Sequence, residues 1–139
     1  MEIYIDMHMK KILCLILAFL ATGICAAEVP NLVGNWTGTS NGYFNEDGVA
    51  KLSENGSVSL VITEQDDRLF AGNLTAMLNG EEIVKGLAGA IGLDNKALYI
   101  AEFDQGYDMG TIISDDEIEL IYLADGETGR AFIDRLHRI

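Results

Sequence analysis

Carboxylates are the chemically capable side chains this chain holds in quantity. It carries 22 Asp and Glu against 9 Lys and Arg, for a net charge of −13 over 139 residues. Both cysteines, Cys14 and Cys25, fall in the first 27 residues together with His8. From Glu28 onward there is no thiol, and His137 is the one imidazole. That excludes a cysteine nucleophile there and argues against zinc, whose usual sites draw on several His or Cys ligands. A Ser-His-Asp triad would have to use His137, almost at the end of the chain. An acid–base pair of carboxylates is chemically open, but their abundance singles out no pair. Asp104-Gln105-Gly106-Tyr107-Asp108 sets two around a glycine turn. It is too short for a helix-loop-helix calcium loop and lacks the closing Glu, so it reads as solvated turn acids. Gly86-Leu87-Ala88-Gly89-Ala90-Ile91-Gly92 lacks the Lys-Ser/Thr ending and following helix of a phosphate loop, and reads as barrel curvature. No metal, no cofactor and no catalytic residue is expected. So acidic a surface also argues against nucleic acid and anionic membranes as partners.

The elements that position these residues begin after an N-terminal leader. Lys10-Lys11 precede an apolar stretch, and Cys25 and Ala27 fit the small residues before a cleavage site. Cleavage is expected before Glu28. The rival reading is an anchor, but the run from Ile12 to Ala27 has 16 residues, short of the ~20 a spanning helix needs. Glu2 and Asp6 do not suit a basic n-region, so Met9 reads as the start. Residues 1–27 are thus an extension and signal peptide, and 28–139 a single domain of an exported protein. No stable membrane insertion is expected after cleavage.

No helical period is sustained beyond Glu28. Short β-branched and aromatic runs alternate with turn signals every 8 to 12 residues, the pattern of a sandwich or barrel. Strands are expected near Leu32–Tyr43, Val49–Ser53, Ser57–Gln65, Leu69–Leu78, Glu82–Gly92, Ala97–Phe103, Tyr107–Ile113, Glu117–Ala124 and Gly129–Arg138. The second is weak, so the count is eight or nine. Asn55-Gly56 and Asn79-Gly80 suit two-residue hairpins. Asp66-Asp67, Asp94-Asn95, Gln105-Gly106, Asp115-Asp116 and Asp125-Gly126 suit other tight turns. The one long loop is read as Ser40–Gly48. Short links force antiparallel neighbours, and a long meander tends to close and remove its edges. Alternation places Val58, Leu60, Ile62, Phe70, Leu74, Leu78, Ile118, Leu120 and Tyr122 inside.

Gly34-Asn35-Trp36 on the first strand, with Arg138 ending the last, resembles the calycin barrels, the lipocalin and avidin group. The resemblance covers these two short segments and the strand order. It implies an all-β antiparallel meander closed into a small barrel, with Trp36 at the closed end and Arg138 lying across its indole. Arg135 is the alternative partner. A guanidinium over indole contributes roughly 0.5–2 kcal/mol. The Thr-Asp-Tyr-type motif of lipocalins is absent. Avidin-type sites use several Trp residues, and this chain has one, so biotin is not expected. Asn35, Asn55 and Asn73 head glycosylation sequons.

The leading functional reading is an exported, non-enzymatic barrel that binds a small apolar or amphipathic ligand. Leu60, Ile62, Phe70, Leu74, Leu120 and Tyr122 are its candidate lining. The alternative is a protein-interaction or inhibitor barrel with a filled core and no small-molecule ligand. Some small secreted metalloprotease inhibitors are also calycin barrels, and the Ser40–Gly48 loop could serve such a role. A cofactor-free barrel isomerase is third and would need paired carboxylates inside. The interior volume discriminates. Below about 100 Å³ there is no room for a typical small-molecule site of ~300–1,000 Å³. Tyr99, Phe103, Ile112, Ile121 and Leu123 add apolar character to the other face of the later strands. This predicts self-association through that wall, unless Tyr43 and Phe44 fold over it.

Overall fold

A computed structural model describes residues 28–78 and 80–139. The leader, with its Met9 start and its cleavage point, lies outside the described residues, as does Asn79 of the Asn79-Gly80 turn. Eight strands run in order: β1 (Gly34–Glu46), β2 (Val49–Asp66), β3 (Leu69–Leu78), β4 (Glu81–Ile91), β5 (Ala97–Glu102), β6 (Tyr107–Ser114), β7 (Glu117–Ala124) and β8 (Arg130–Arg138). No helix occurs among the described residues. Each strand pairs antiparallel with the next and β8 returns to pair with β1, so the meander closes into a barrel.

The count is eight because Val49–Ser53 and Ser57–Gln65 are one strand. Asn55-Gly56 is not a hairpin turn. Gly42 faces Ser53 and Ser40 faces Gly56, so Glu54 and Asn55 together oppose Asn41 in a β-bulge. Asn55 supplies the left-handed residue (φ 57°), and its amide donates to Asn41 Oδ1 at 2.8 Å. An Asn that tolerates positive φ serves a bulge as well as a turn. The true hairpin is Asp47-Gly48, with φ of 53° and 82°. It joins Glu46 to its partner Val49 in the primed geometry that Asp-Gly favours. Ser40–Gly48 is therefore strand and turn rather than a long loop.

Alternation sorts the side chains. Trp36, Val58, Leu60, Ile62, Phe70, Leu74, Leu87, Ile91, Leu98, Ile100, Ile118, Leu120 and Leu136 pack inside. On β5 the contest resolves with Leu98, Ile100 and Glu102 inward and Tyr99, Ala101 and Phe103 outward. Ile112 is not part of the outer wall; it packs against the core. Glycines make room for these inner groups. A side chain at Gly38 would run into the Arg135 carbonyl, and one at Gly89 into the Phe70 ring. Gly86 does the same for Phe103 on the outside. Gly86 and Gly89 thus give clearance for the Phe103 and Phe70 rings.

Gly38→Ala should therefore cost about 1–3 kcal/mol or more, as overpacking against backbone does. Gly48→Ala, in open space with only its positive φ to strain, should cost about 1 kcal/mol. Chemical denaturation of the two variants checks the order.

Candidate functional site

The two ends of the barrel differ in chemistry. At one end Trp36 is buried and its Nε1 donates to the Leu32 carbonyl at 3.0 Å. The Arg138 guanidinium lies 4.2 Å from the centre of the indole. Register explains the meeting, because Trp36 and Arg138 are direct cross-strand partners on β1 and β8. Arg138 also donates from Nη1 to the Val33 carbonyl (2.8 Å), from Nη2 to the Asn31 carbonyl (2.7 Å) and from Nε to the Asp115 carbonyl (3.1 Å). One planar cation thus ties the N-terminal segment, the β6–β7 turn and the last strand together, which its five-donor fork allows. Arg135 faces outward and pairs with Glu119 at 2.9 Å. Trp36→Ala should cost about 3–5 kcal/mol. Arg138→Lys, which keeps charge but cannot reach three carbonyls, should lower the melting temperature measurably.

Toward the other end the barrel turns polar inside. Lys85, Glu102, Asp108, Tyr122, Arg130 and Asp134 come from β4 to β8, with Ser40 from β1. Each stands in phase with core residues: Asp134 lies between Phe132 and Leu136, and Glu102 follows Leu98 and Ile100. Lys85 Nζ donates to Glu102 at 2.6 Å, to the Gln105 carbonyl at 2.8 Å and to Tyr122 Oη at 3.3 Å. Tyr122 donates to the same Gln105 carbonyl at 3.0 Å. The Arg130 guanidinium stacks 5.7 Å from the centre of the Tyr122 ring. A cavity of about 60 Å³ lies among Ser40, Leu74, Met77, Ile83, Lys85, Glu102, Tyr122, Arg130, Phe132 and Asp134.

The carboxylates are poorly served. Asp108 is only 1% exposed, and neither of its oxygens has a hydrogen-bond partner among the described residues. Reading Asp108 as a solvated turn acid is thus corrected: its register partners Ile100 and Tyr122 carry it inward, while Asp104 stays in water. Burial, with Glu102 and Asp134 nearby, raises the Asp108 pKa to about 8. Burial raises Asp134 to about 6 against a hydrogen bond from Ser40. Burial also pushes Glu102 up against the pull of Lys85. Burial pulls Lys85 down, but the Glu102 hydrogen bond and charge outweigh it and leave its pKa raised.

Of the expected lining, Leu60, Ile62, Phe70, Leu74, Leu120 and Tyr122 all point inward, but only Leu74 and Tyr122 meet this cavity; the others are buried in the core. Asn35, Asn55 and Asn73 are exposed. Sequence reasoning passed over Glu102 and Asp134. The signal was a carboxylate at even spacing within a core run.

Outside, two walls differ. On β1–β3, Asn35, Thr37, Thr39, Ser57, Ser59, Asn73 and Thr75 alternate outward with the inner core residues. From β3 to β8 two adjacent cross-strand rows are apolar. One runs Leu69, Ala90, Tyr99, Met109, Ile121, Ile133, and the other Ala71, Ala88, Ala101, Tyr107, Leu123, Ala131. Tyr99 is 57% exposed and Leu69 64%, so no loop among the described residues covers them. Tyr43 is itself exposed and sits in register beside Ala131. Between the Leu69 edge and the Tyr99, Tyr107 and Met109 edge lies a shallow groove floored by Ala88, Ala90 and Ala101, of about 530 Å³.

No protein-family model matches the chain, and no curated protein is significantly similar to it.

Asp108 makes stability depend on pH. Its unfolded acid ionises near 3.8, whereas the folded one keeps its proton to about 8. The native state therefore holds more protons across that window, and stability falls as pH rises through it. Asp108→Asn cannot ionise and should flatten the fall, gaining roughly 2–4 kcal/mol over the wild type at the alkaline end relative to the acid end. Melting temperatures taken between those limits test this.

Proposed function

We propose that the protein is an exported, non-enzymatic, calycin-type barrel that works as an interaction module through its outer wall. The observation that carries this is the pair of apolar rows across β3–β8, set beside a polar wall on β1–β3. The interior supports the same choice, because about 60 Å³ falls well short of the ~300–1,000 Å³ of a small-molecule pocket. Export rests on Lys10-Lys11 and the apolar stretch after them. The calycin reading rests on the closed meander with Arg138 over Trp36.

The occupant we propose is a second copy of the chain. The closed body of the sheet has no edge to extend, so association there must use side-chain faces. Leu69, Tyr99 and Tyr107 are each more than half exposed, and Met109, Ile121 and Ile133 at least 40%, a contiguous apolar area of the kind that marks an interface. The wall is also self-complementary. Its alanine-floored groove lies directly beside the ridge of Tyr99, Tyr107 and Met109, so the ridge of one copy fits the groove of another under a two-fold axis. The two rows carry no charge, and Glu119 at their margin is paired with Arg135. The net charge of −13 still repels two copies at long range, so association strengthens as salt screens it.

Sedimentation of the purified protein should show a dimer at micromolar concentration that tightens with added salt. Met109→Glu, which places a charge in the ridge, should weaken it at least about 100-fold, the equivalent of some 3 kcal/mol. Thr75→Lys on the polar wall should leave it unchanged. A wild-type protein that stays monomeric at several hundred micromolar overturns the second copy as occupant.

A further inference from the structure

Closure removes the edges of the barrel body, but one hairpin overruns it. β1 passes Ser40, in the polar cup with Lys85, Glu102 and Asp134, and continues to Glu46, from which β2 returns at Val49. β3 pairs with β2 only from Val58↔Ala76 onward and ends at Leu78. Val49–Asn55 therefore has β1 on one side and no strand among the described residues on the other. The pair that closes a two-residue hairpin is hydrogen-bonded, and bonded pairs then alternate along the ladder. Counting from Glu46↔Val49, the backbones of Val49, Lys51 and Ser53 bond back to β1. Those of Ala50 and Leu52 face the open side. Such a row of unspent donors and acceptors is a template for another strand.

We propose that this open edge of β2 receives an extended, net-basic segment of a partner protein as one more strand. Side chains and charge select the occupant. Leu123, Ala131, Tyr43 and Leu52 are consecutive register partners, so the second apolar row of the outer wall runs onto this arm and stops at its edge. Val49 and Leu52 are more than half exposed. An added strand continues the row with an apolar residue at every second position. The charge around it is acidic. Glu46, Asp47 and Glu54 lie on the arm, and Glu82 pairs with Met77, whose carbonyl lies beside Gly56. Lys51 is the arm's one cation, and Glu46 holds it at 3.1 Å. A second copy is the poorer occupant here. Two arms paired about Lys51 would bring the Lys51 side chains together and Glu54 of each copy near Asp47 of the other, and like charges opposed across a ladder are destabilising.

The test is a titration of the full protein with an end-blocked peptide of about six residues, a common strand length, alternating Val with Lys and read from backbone amide NMR signals. The amides of Ala50 and Leu52 should move saturably, with half-saturation below ~1 mM. The same peptide with Glu in place of Lys should bind at least about tenfold more weakly at low salt, and added salt should narrow the difference. A fully N-methylated peptide keeps the charge but has no amide to donate, and should not bind. Ala50→Pro removes an outward-facing donor without costing a bond to β1, and should weaken binding about tenfold, read at Leu52. Met109→Glu, which breaks the wall contact, should leave peptide affinity within about twofold, because the sites are separate. No movement at ~5 mM of the basic peptide overturns the proposal. So does an equal response to the acidic or the N-methylated peptide. Loss of binding in Met109→Glu places the peptide on the wall and overturns the edge as its site. Ala50 and Leu52 signals that shift with protein concentration alone put a second copy at the edge and overturn the basic segment as its occupant.

Discussion

Pairing of the first strand with the last is the constraint on which the rest depends. Trp36↔Arg138 through Phe44↔Arg130 is one continuous antiparallel ladder. It turns an open meander, whose two edges would be free to pair with other chains, into a closed body with neither. Closure at eight strands also sets the interior width. A barrel of that size is just wide enough for its own side chains to fill. Small residues on one strand must then face large ones on its neighbour. β1 turns Gly38 and Gly42 inward where β8 sends their register partners Leu136 and Phe132 across. The Arg138 fork makes the closure specific, since a slipped register would carry the guanidinium away from both the indole and the three carbonyls it serves.

A small barrel filled by its own side chains has little reason to bury acids, and this one buries Glu102, Asp108 and Asp134. The Lys85–Glu102 pair adds little net stability once desolvation is counted. The orphaned oxygens of Asp108 and Asp134 oppose folding outright. The buried acids are gathered rather than scattered: Glu102 and Asp134 line one cavity, remote from the Trp36–Arg138 end, and Asp108 lies near both. A protein that breaks the rule against unsatisfied buried groups does so in places that have a use. The contrast between the Trp36–Arg138 end and the polar cup locates that place along the barrel axis.

Much of this was legible in the residues. Period-two alternation identified Val58, Leu60, Ile62, Phe70, Leu74, Ile118, Leu120 and Tyr122 as inner residues, and these are buried; the side chain of Leu78, assigned to the same face, lies outside the described ones. Short links implied the meander. The Asp47-Gly48 hairpin was hidden for a physical reason: Val49, Ala50, Lys51 and Leu52 are exposed on both faces, so no alternation marks that arm as strand. Asn55-Gly56 misled because positive φ serves bulges and turns alike. The acids of the cup were hidden by their type. Even spacing through Phe132, Leu136 and Arg138 passes through Asp134, but a charge in a strand is ordinarily assigned to solvent.

The later strands blurred the pattern because both of their faces are apolar. An interior needs hydrophobic residues at one parity, and an outer wall meeting water should be polar at the other. The patch of Asn35, Thr37, Thr39, Ser57, Ser59, Asn73 and Thr75 follows this, with Val61 exposed beside it, and the three sequon asparagines stand on the same three strands, exposed. β4–β7 do not, and the departure is orderly. Tyr99, Met109 and Ile121 are consecutive cross-strand partners, so residues remote in sequence land side by side in one row. A random scatter of surface apolar residues would be broken by charges at most crossings. Here the first charged pair, Glu119 with Arg135, appears only in the row beyond. The barrel thus separates its tasks by parity and by position: closure and packing inside, a solvated patch on β1, β2 and the second half of β3, and an apolar wall from the start of β3 round to β8 whose burial the closed sheet cannot provide by itself.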